Sequence, residues 1–272
     1  MKEKLGINIA RYRKENKMTQ EELAKQLNIS YQAVSKWENG QTLPDVETLS
    51  RIAEIMHVSM DALAGFPHHY HATGHYEMQY RKEEYFWGVN PSGMCLKILE
   101  LMPPNKPLKF LDIGCGEGKD AVFMARCGYQ VSAFDISDAG IEKTKKLAEK
   151  AGVYVDVFKG DVNNFQPEET YDIIFSSGVF QYIKPKFRSE MVHLYKECTK
   201  ENGLNVFQVF VEKPFIASSP DHQKAEILWK SGEILTEYYD WLIEDFREKI
   251  FDCNSSGIPH KHADNVIFAR KK

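Results

Sequence analysis

The sequence predicts an α/β protein: a seven-stranded sheet with helices on its faces, preceded by a smaller all-α domain of five helices. Residues 5–64 contain short amphipathic segments with capping residues, and residues 85–272 alternate strand-like and helical segments. Between them, "GFPHHYHATGHYE" (residues 65–77) is rich in glycine, proline and histidine and has no helical or strand period. We therefore expect domains at 1–66 and 85–272, joined by a linker at 67–84.

Composition narrows the class of protein. A chain of 272 residues that is 43% hydrophobic can bury two cores. No apolar run approaches the roughly 18 residues of a membrane span, and the amino terminus does not resemble a signal peptide, so we expect a soluble, cytoplasmic protein with no membrane partner. Five cysteines without CxxC spacing fit a reducing compartment. The net charge of -4 argues against a protein that coats nucleic acid, although basic residues are concentrated near the amino terminus.

The amino-terminal segment is predicted to form five helices. Leu5, Ile9 and Tyr12 share the apolar face of the first. Thr19 and Glu22 form the capping-box pattern at the start of a second helix, which spans roughly 20–27. The later helices are predicted from Ser30 to about Glu38, over about 45–56 with Asp45 as cap, and over about 59–64 with Ser59 as cap.

"TQEELAKQLNISYQAVSKWENGQTLPDVETLSRIAEIMHVSMDAL" closely resembles the lambda-repressor-like helix-turn-helix family, and the resemblance covers residues 5–64. It implies that the third helix enters the major groove of operator DNA, with Val34 and Trp37 packed inward, and that the protein is a homodimer. Gln32 would pair with adenine and Lys36 with guanine or a phosphate. The alternative is that these polar residues form an ordinary solvated helix face. The implied DNA-binding residues are Gln20, Tyr31, Gln32, Ser35, Lys36 and Asn39.

A glycine-rich turn follows the first apolar run of the second domain. "LKFLDIG" reads as a buried strand, "KDAVFMARCG" as a helix and "YQVSAFDIS" as a second strand. In such units the glycines let the backbone approach a nucleotide-like ligand, and an acid after the second strand accepts hydrogen bonds from ribose hydroxyls. Gly114, Gly116, Gly118 and Asp135 stand in those places, although a tight turn can require glycine without any ligand.

The remaining strands complete the sheet. "VDVFKGDVNNF", "YDIIFSSGVFQYI", "GLNVFQVF", "EKIFDCNS" and "DNVIFARK" supply five more, separated by helical segments. Seven strands in this order predict a Rossmann-like sheet. The turn has GxGxG spacing preceded by Asp112, which fits the dinucleotide fingerprint GxGxxG poorly.

With these motifs, residues 85–272 resemble the class I S-adenosylmethionine-dependent methyltransferases. The resemblance implies that Asp112 and the glycine backbone meet the methionine part of S-adenosylmethionine, and that Asp135 binds its ribose. Asp161 and Val162 would border the adenine, and Ser176 and Gly178 would line the cleft near the sulfonium. It also implies a terminal hairpin in which the seventh strand is antiparallel. The full implied cofactor-binding set is Trp87, Asp112, Gly114, Cys115, Gly116, Gly118, Asp135, Ile136, Asp161, Val162, Ser176 and Gly178.

A narrower resemblance points to the acceptor class. "YFWGVNPS" before the first strand, and "GLNVFQVF" ahead of a "GEI...YYDWLI" segment, are similar to tellurite-resistance and thiopurine-type small-molecule methyltransferases. It implies that Tyr85, Phe86 and Trp87 form a lid over the cofactor; alternatively, they pack the first helix onto the sheet. The motifs of DNA-base methyltransferases, an Asn/Asp-Pro-Pro-Tyr signature or a Pro-Cys nucleophile, do not occur.

Histidines are the candidates for proton transfer and for metal binding. His260 and His262, just before the last predicted strand, are the best candidates for a general base, and Tyr182 is a second; solvated loop histidines and a packing tyrosine are the alternatives. His68, His69, His71 and His75 in the linker lack an evident complete ligand set, so we expect no metal site. Cys115 fits the glycine turn as a small residue, and we do not expect it to be a nucleophile.

Two functions of different class follow. The first is a methyltransferase that acts on a small soft acceptor, such as a thiol, selenium or tellurium compound, and is fused to a sequence-specific transcriptional regulator domain. The second is a non-catalytic regulator that senses S-adenosylmethionine or S-adenosylhomocysteine. The intact carboxyl-terminal strands and the recognisable lid favour the enzyme.

Overall fold

The structure is a computed structural model that describes residues 2–56, 58, 60–64, 72–217, 228–254 and 259–272. The chain divides into two structural units, Met1–Gly74 and His75–Lys272. Within the described ranges, no helix combines the length and the apolar character that a membrane crossing requires.

The first unit contains the five predicted helices. Their bounds are α1 Lys2–Glu15, α2 Gln20–Leu27, α3 Tyr31–Glu38, α4 Val46–Ile55 and α5 Met60–Ala64. Thr19 and Glu22 form the predicted capping box, since the Thr19 side chain accepts from the Glu22 amide and the Glu22 carboxylate accepts from the Thr19 amide. Ser30 and Asp45 cap α3 and α4 as expected, whereas the predicted cap Ser59 lies outside the described residues.

One apolar core holds these helices together. Leu5, Ile9 and Tyr12 of α1 pack with Val34 and Trp37 of α3, and all five side chains are buried. Burial of that face fixes the orientation of α3, because a helix presents residues three and four apart on one side. The polar face of α3 is therefore left pointing away from the core.

The second unit is the predicted α/β domain. Its elements are α6 Ala72–Tyr80, α7 Gly93–Leu101, β1 Lys109–Ile113, α8 Lys119–Arg126, β2 Gln130–Asp135, α9 Asp138–Ala151, β3 Asp156–Lys159, β4 Tyr171–Ser177, α10 Arg188–Glu197, β5 Thr199–Val211, α11 Glu233–Thr236, β6 Leu242–Cys253 and β7 His260–Arg270. Most of α6 belongs to this unit. Apolar clusters cover both faces of the sheet, as a mostly parallel sheet requires.

The sheet confirms the predicted class and its terminal hairpin. The strand order is β3-β2-β1-β4-β5-β7-β6, in which β1 to β5 are parallel and β7 is antiparallel to both of its neighbours. Because β7 runs the opposite way, its first residues lie at the edge where the other central strands end. Ligands of open α/β sheets bind at that edge, so the start of β7 joins the region of the site.

Two predictions about secondary structure are wrong. Residues 65–77 were expected to lack helical structure, but α6 occupies Ala72–Tyr80. Its sequence has no amphipathic period, and tertiary contacts hold it instead: Tyr80 is 6% exposed, and the Glu77 carboxylate accepts from the Ser137 hydroxyl at 2.6 Å. His260 and His262 were expected just before the seventh strand, but β7 begins at His260 because it pairs with β6 from that residue onward.

Candidate functional site

The glycine turn between β1 and α8 forms the centre of the site. Gly114 and Gly116 have φ angles of 70° and 56°, which favour glycine. A Cβ on Gly114 would lie 2.4 Å from the Val179 side chain, and one on Gly116 would lie 2.9 Å from the Tyr80 hydroxyl. A side chain is therefore excluded at Gly114 and at Gly116 by the backbone conformation and by neighbouring groups together.

Asp135, at the end of β2, binds the backbone of the glycine turn. Its two carboxylate oxygens accept hydrogen bonds from the Gly116 amide at 2.8 Å and the Ser137 amide at 2.9 Å. Burial raises the pKa of Asp135, and the amides of Ser137, Gly116 and Ile136 partly oppose that rise. A carboxylate oxygen can accept two hydrogen bonds, so each oxygen retains capacity for a further donor.

Asp112 is the second buried acid of the site. It is 2% exposed at the end of β1, and its Oδ2 atom has no hydrogen-bond partner among the described residues. Burial raises the pKa of Asp112 well above its ordinary value, and the nearby Asp120 adds to the rise while Lys119 opposes it. A buried, unsatisfied carboxylate oxygen is costly, and a cationic or hydrogen-bond-donating ligand would compensate it.

An aromatic cluster, here called the aromatic cover, stands beside the glycine turn; it consists of Tyr76, Tyr80, Phe86, Trp87 and Tyr182. The Trp87 indole N–H donates to the Tyr80 hydroxyl at 3.0 Å, and the Trp87 amide donates to the Glu117 carboxylate at 3.2 Å. The Phe86 and Trp87 rings meet edge to face at 4.7 Å. Tyr76 also contacts Tyr182, at 3.2 Å between hydroxyls.

The aromatic cover differs in membership from the lid expected from sequence. Phe86 and Trp87 belong to it, but the Tyr85 ring instead lies against the Lys143 ammonium at 4.9 Å. Tyr76, Tyr80 and Tyr182 were not predicted in it, although Tyr182 was considered as a base. Tyr76 and Tyr80 are four residues apart and so share one face of α6. That spacing could have identified them, but no helix was predicted for these residues.

The residues expected around the adenine and the sulfonium are only partly accessible. Asp161 Oδ1 accepts from the amide and the side chain of Asn163 at 2.9 and 3.0 Å, and Val162 is 7% exposed. Ser176 is fully buried and donates to the Ile113 carbonyl at 3.1 Å, so its hydroxyl links β4 to β1. Gly178 lies directly after β4 with a φ of 69°.

A polar series that sequence reasoning missed runs across the same edge of the sheet. The Ser177 hydroxyl donates to the Gln208 side-chain oxygen at 3.0 Å, and the Gln208 amide donates to the Asp264 carboxylate. Burial raises the pKa of Asp264. The three residues lie on β4, β5 and β7, so only the strand register brings them together.

His260 and His262 lie side by side at the start of β7. Their Nε2 atoms are 2.9 Å apart, and the His262 ring is 7% exposed and stacks on Phe210 at 4.9 Å. Cys115 is buried, and burial raises the pKa of its thiol well above the ordinary value, which disfavours a thiolate. His68, His69 and His71, and the side chain of His75, lie outside the described residues.

The expected DNA-binding residues lie on α3, directly after it and at the start of α2. Tyr31, Gln32 and Lys36 are exposed and Ser35 is half-buried. The Asn39 amide group donates to the Ser35 hydroxyl at 3.4 Å. Gln20 also has a hydrogen-bond partner within the unit, because its side-chain amide donates to the Glu38 carboxylate at 2.8 Å.

Comparison with known proteins bears on both units. Residues 78–258 match the family model of tellurite resistance protein TehB, and residues 9–63 match a helix-turn-helix model. The probable S-adenosyl-L-methionine-dependent methyltransferase TehB of Haemophilus influenzae is 25% identical over 198 residues, which are 71% of this chain and 68% of that protein.

One solved structure and one further relative extend this comparison. The crystal structure of TehB from Haemophilus influenzae is similar with a TM-score of 0.60 and 21% identity, over 74% of this chain and 67% of that one. Hemagglutinin 1 of Eikenella corrodens is 28% identical over 153 residues, which are 56% of this chain and 50% of that protein.

Proposed function

This chain belongs to the tellurite resistance protein TehB family and is an S-adenosylmethionine-dependent methyltransferase, and on that premise we propose that it methylates a small, soft acceptor such as a thiol, selenium or tellurium compound. We further propose that its helix-turn-helix unit binds operator DNA. The observation that carries the first proposal is the aromatic cover beside a glycine turn that is flanked by two buried carboxylates.

The residues present fit S-adenosylmethionine. The unpaired Asp112 oxygen suits the ammonium of the methionine part, because a buried carboxylate is stabilised by an opposite charge. The remaining acceptor capacity of Asp135 suits ribose hydroxyls. Gly114 and Gly116 offer backbone without side chains, and Val162 offers an apolar edge to the adenine.

When bound, S-adenosylmethionine supplies a methyl group that its sulfonium already activates for in-line displacement. The chain's contribution is then to align the acceptor and exclude competing water, and orientation of this kind is worth about 7–11 kcal/mol in favourable cases. The aromatic cover suits the second task, since Tyr80 stands over Gly116 and is joined to Trp87, whose ring packs on Phe86.

Methylation of a soft acceptor does not require a strong general base. A thiolate, selenide or telluride is already anionic or easily deprotonated near neutral pH, so the reaction needs no strong base. This agrees with an edge of the sheet whose polar groups, Ser177, Gln208 and Asp264, are joined to one another in hydrogen bonds. Membership of a tellurite-resistance family also supports an acceptor of this class.

The exposed face of α3 supports the operator proposal. Gln32 and Lys36 project from a helix whose opposite face is fixed by Val34 and Trp37, which is how a recognition helix presents side chains to base edges. One such module contacts few bases, so we propose that the protein acts as a homodimer on paired half-sites. A transcriptional role would place the chain in the cytoplasm, with the chromosome.

The deciding experiment incubates the purified chain with S-adenosylmethionine and a panel of thiol, selenium and tellurium acceptors, and measures S-adenosylhomocysteine. Product that depends on the acceptor, and that falls in Asp135→Ala, supports the enzyme. Binding of S-adenosylmethionine without product from any acceptor would contradict it and favour the sensing alternative. Operator titrations with and without saturating S-adenosylmethionine or S-adenosylhomocysteine then test sensing directly, because coupling between the two ligands must be reciprocal.

A further inference from the structure

The hairpin of β6 and β7 brings three ligand-type side chains onto one face of the sheet. Cys253 and His260 are directly opposite each other in the antiparallel register. His262 lies two residues further along β7 and therefore points to the same side. The ligating atoms of these three residues all lie within 4.8 Å of one another.

The distance between the two imidazole nitrogens is close to that expected in a coordination sphere. Zinc binds imidazole nitrogen at about 2.0–2.1 Å and thiolate sulfur at about 2.3 Å, so two nitrogens on a tetrahedral ion stand about 3.3 Å apart. The Nε2 atoms of His260 and His262 are 2.9 Å apart and face each other. Two lone pairs cannot face each other at that distance without repulsion, so a proton or a cation must lie between them. A small rotation of one ring would accommodate a metal ion.

The packing around His262 holds its ring in place. The ring stacks on Phe210 at 4.9 Å between centroids and contacts Phe251 at 5.7 Å. Phe210 in turn lies beside Gly178, since a Cβ on Gly178 would be 3.7 Å from the Phe210 ring. The cluster is thus built on two paired strands and is linked through Phe210 to the residue that follows β4. Side chains on rigid elements keep a metal geometry better than side chains on loops.

We propose that Cys253, His260 and His262 bind one borderline-soft divalent ion of the Zn²⁺ class. One thiolate and two imidazoles suit zinc, whereas calcium and magnesium require oxygen ligands. Three protein ligands leave a fourth position for water or an outside molecule, as in open zinc sites. The site is independent of the proposed acceptor chemistry, because metal binding requires only these three side chains.

This cluster lies apart from the linker histidines, for which the sequence predicts no metal site. Cys253 precedes His260 by seven residues, and the intervening segment gives no indication that they meet. Strand pairing decides whether Cys253 and His260 meet, because a shift of one residue would turn Cys253 to the opposite face of the hairpin.

The test uses the untagged full-length chain, reduced and stripped of metal, titrated with Co²⁺ and then with Zn²⁺. We expect one Co²⁺ per chain, a thiolate-to-cobalt charge-transfer band, and loss of that band when Zn²⁺ displaces Co²⁺. Cys253→Ser should abolish the band, and His260→Ala should weaken binding by at least about tenfold. Because His262 is buried, His262→Ala is interpreted only if circular dichroism and thermal unfolding show that the variant folds.

Two control variants separate this site from other thiols and histidines. Cys198→Ser removes another partly exposed thiol, and a variant with His68, His69, His71 and His75 all replaced by alanine removes the linker histidines. Both should keep the band and the stoichiometry. A band that survives Cys253→Ser, or that disappears in either control, would overturn the proposal, as would the absence of any Co²⁺ binding.

Discussion

The indole N–H of Trp87 donates a hydrogen bond to the phenol oxygen of Tyr80 at 3.0 Å, and that oxygen stands over Gly116. One contact thus links the segment before α7 to the end of α6 at the glycine turn. Trp87 is 45% exposed although it takes part in this contact, whereas Tyr80 is 6% exposed. The exposed partner is therefore the one that substitution can remove with the least disturbance of the core.

Trp87→Phe removes the donor and keeps an aromatic ring. We expect the affinity for S-adenosylmethionine to fall by about 1 kcal/mol, because the buried Tyr80 hydroxyl loses a hydrogen bond and the cover loosens. Calorimetric titration measures the change. Tyr154→Phe alters an aromatic residue that is 81% exposed and serves as the control, for which no change is expected. Equal affinities in wild type and Trp87→Phe would remove the contact from cofactor binding.

Asp112→Asn should increase the stability of the fold and at the same time weaken the binding of S-adenosylmethionine. The pKa of Asp112 is raised in the folded chain, so its contribution to stability is complete below the unfolded pKa and is lost as pH rises through the folded pKa. Near pH 7 the neutral amide should therefore increase the free energy of unfolding, and the melting temperature should rise by roughly 2–4 °C per kcal/mol. S-adenosylmethionine should bind more weakly, since its ammonium loses a counter-ion.

In the wild type, the role of Asp112 can be tested by measuring the protons released when S-adenosylmethionine binds. If the ammonium favours the charged form of Asp112, binding of S-adenosylmethionine should release protons at pH values near or below the raised pKa, and affinity should increase with pH there. Calorimetry in buffers of different ionisation enthalpy detects this. A proton count that is the same in wild type and Asp112→Asn would exclude Asp112 as the source.

Asp135→Ala should weaken S-adenosylmethionine binding by roughly 1.5–3 kcal/mol, because buried ribose hydroxyls would lose a charged acceptor. The substitution also frees the amides of Gly116 and Ser137, so the variant must first be shown to fold. Asp138→Ala provides the control, because the Asp138 carboxylate is exposed and pairs with Lys159 on the surface. Unchanged affinity in a folded Asp135→Ala variant would place the ribose elsewhere.

Gln32→Ala combined with Lys36→Ala should abolish selective DNA binding, because it removes one base-reading side chain and one cation from the exposed face of α3. The operator is first selected from random duplexes and then titrated by fluorescence anisotropy at several salt concentrations. Wild-type affinity should fall steeply as salt rises. Lys146→Ala, an equal change of charge on α9 in the methyltransferase unit, should leave binding intact; a selection that enriches no motif would contradict the assignment.

Arg13→Leu should destabilise the helix-turn-helix unit by about 3–5 kcal/mol, because it leaves the Glu38 carboxylate buried without its counter-ion. The Arg13 and Glu38 side chains are 9% and 7% exposed and meet at 2.6 Å. Hydrogen exchange of α1 to α3 in the full-length chain reports the loss. Arg11→Leu breaks the exposed pair with Glu15, and should cost no more than about 1 kcal/mol.

The same pair predicts an acid dependence. Burial opposes ionisation of Glu38, but hydrogen bonds from Arg13 and Gln20 outweigh it and lower the pKa of Glu38 below its ordinary value. The stabilisation is therefore present above that value and is lost as pH falls through the lower folded pKa. Arg13→Leu should lose most of this dependence. A variant as acid-sensitive as the wild type would point to other carboxylates.

The sequence alone determined the features that depend on residues close in the chain. The capping box at Thr19 and Glu22, the glycine turn with Asp135 and the two-domain plan all follow from local conformational preference and hydrophobic period. The order of strands and helices was also sufficient to predict the mixed sheet, because few connections of such elements are compatible with its handedness.

Tertiary structure decided what depends on register and on packing between distant segments. No amphipathic period indicated that α6 would form, since Glu77 is held by Ser137 and Tyr80 packs against Gly116, both far along the chain. The hydroxyl of Ser176 is turned inward by its bond to Ile113, although the family resemblance implied that this residue lines the cleft. Cys253 meets His260 only because two strands pair in one register, and the free energy that selects a register comes from the whole buried face.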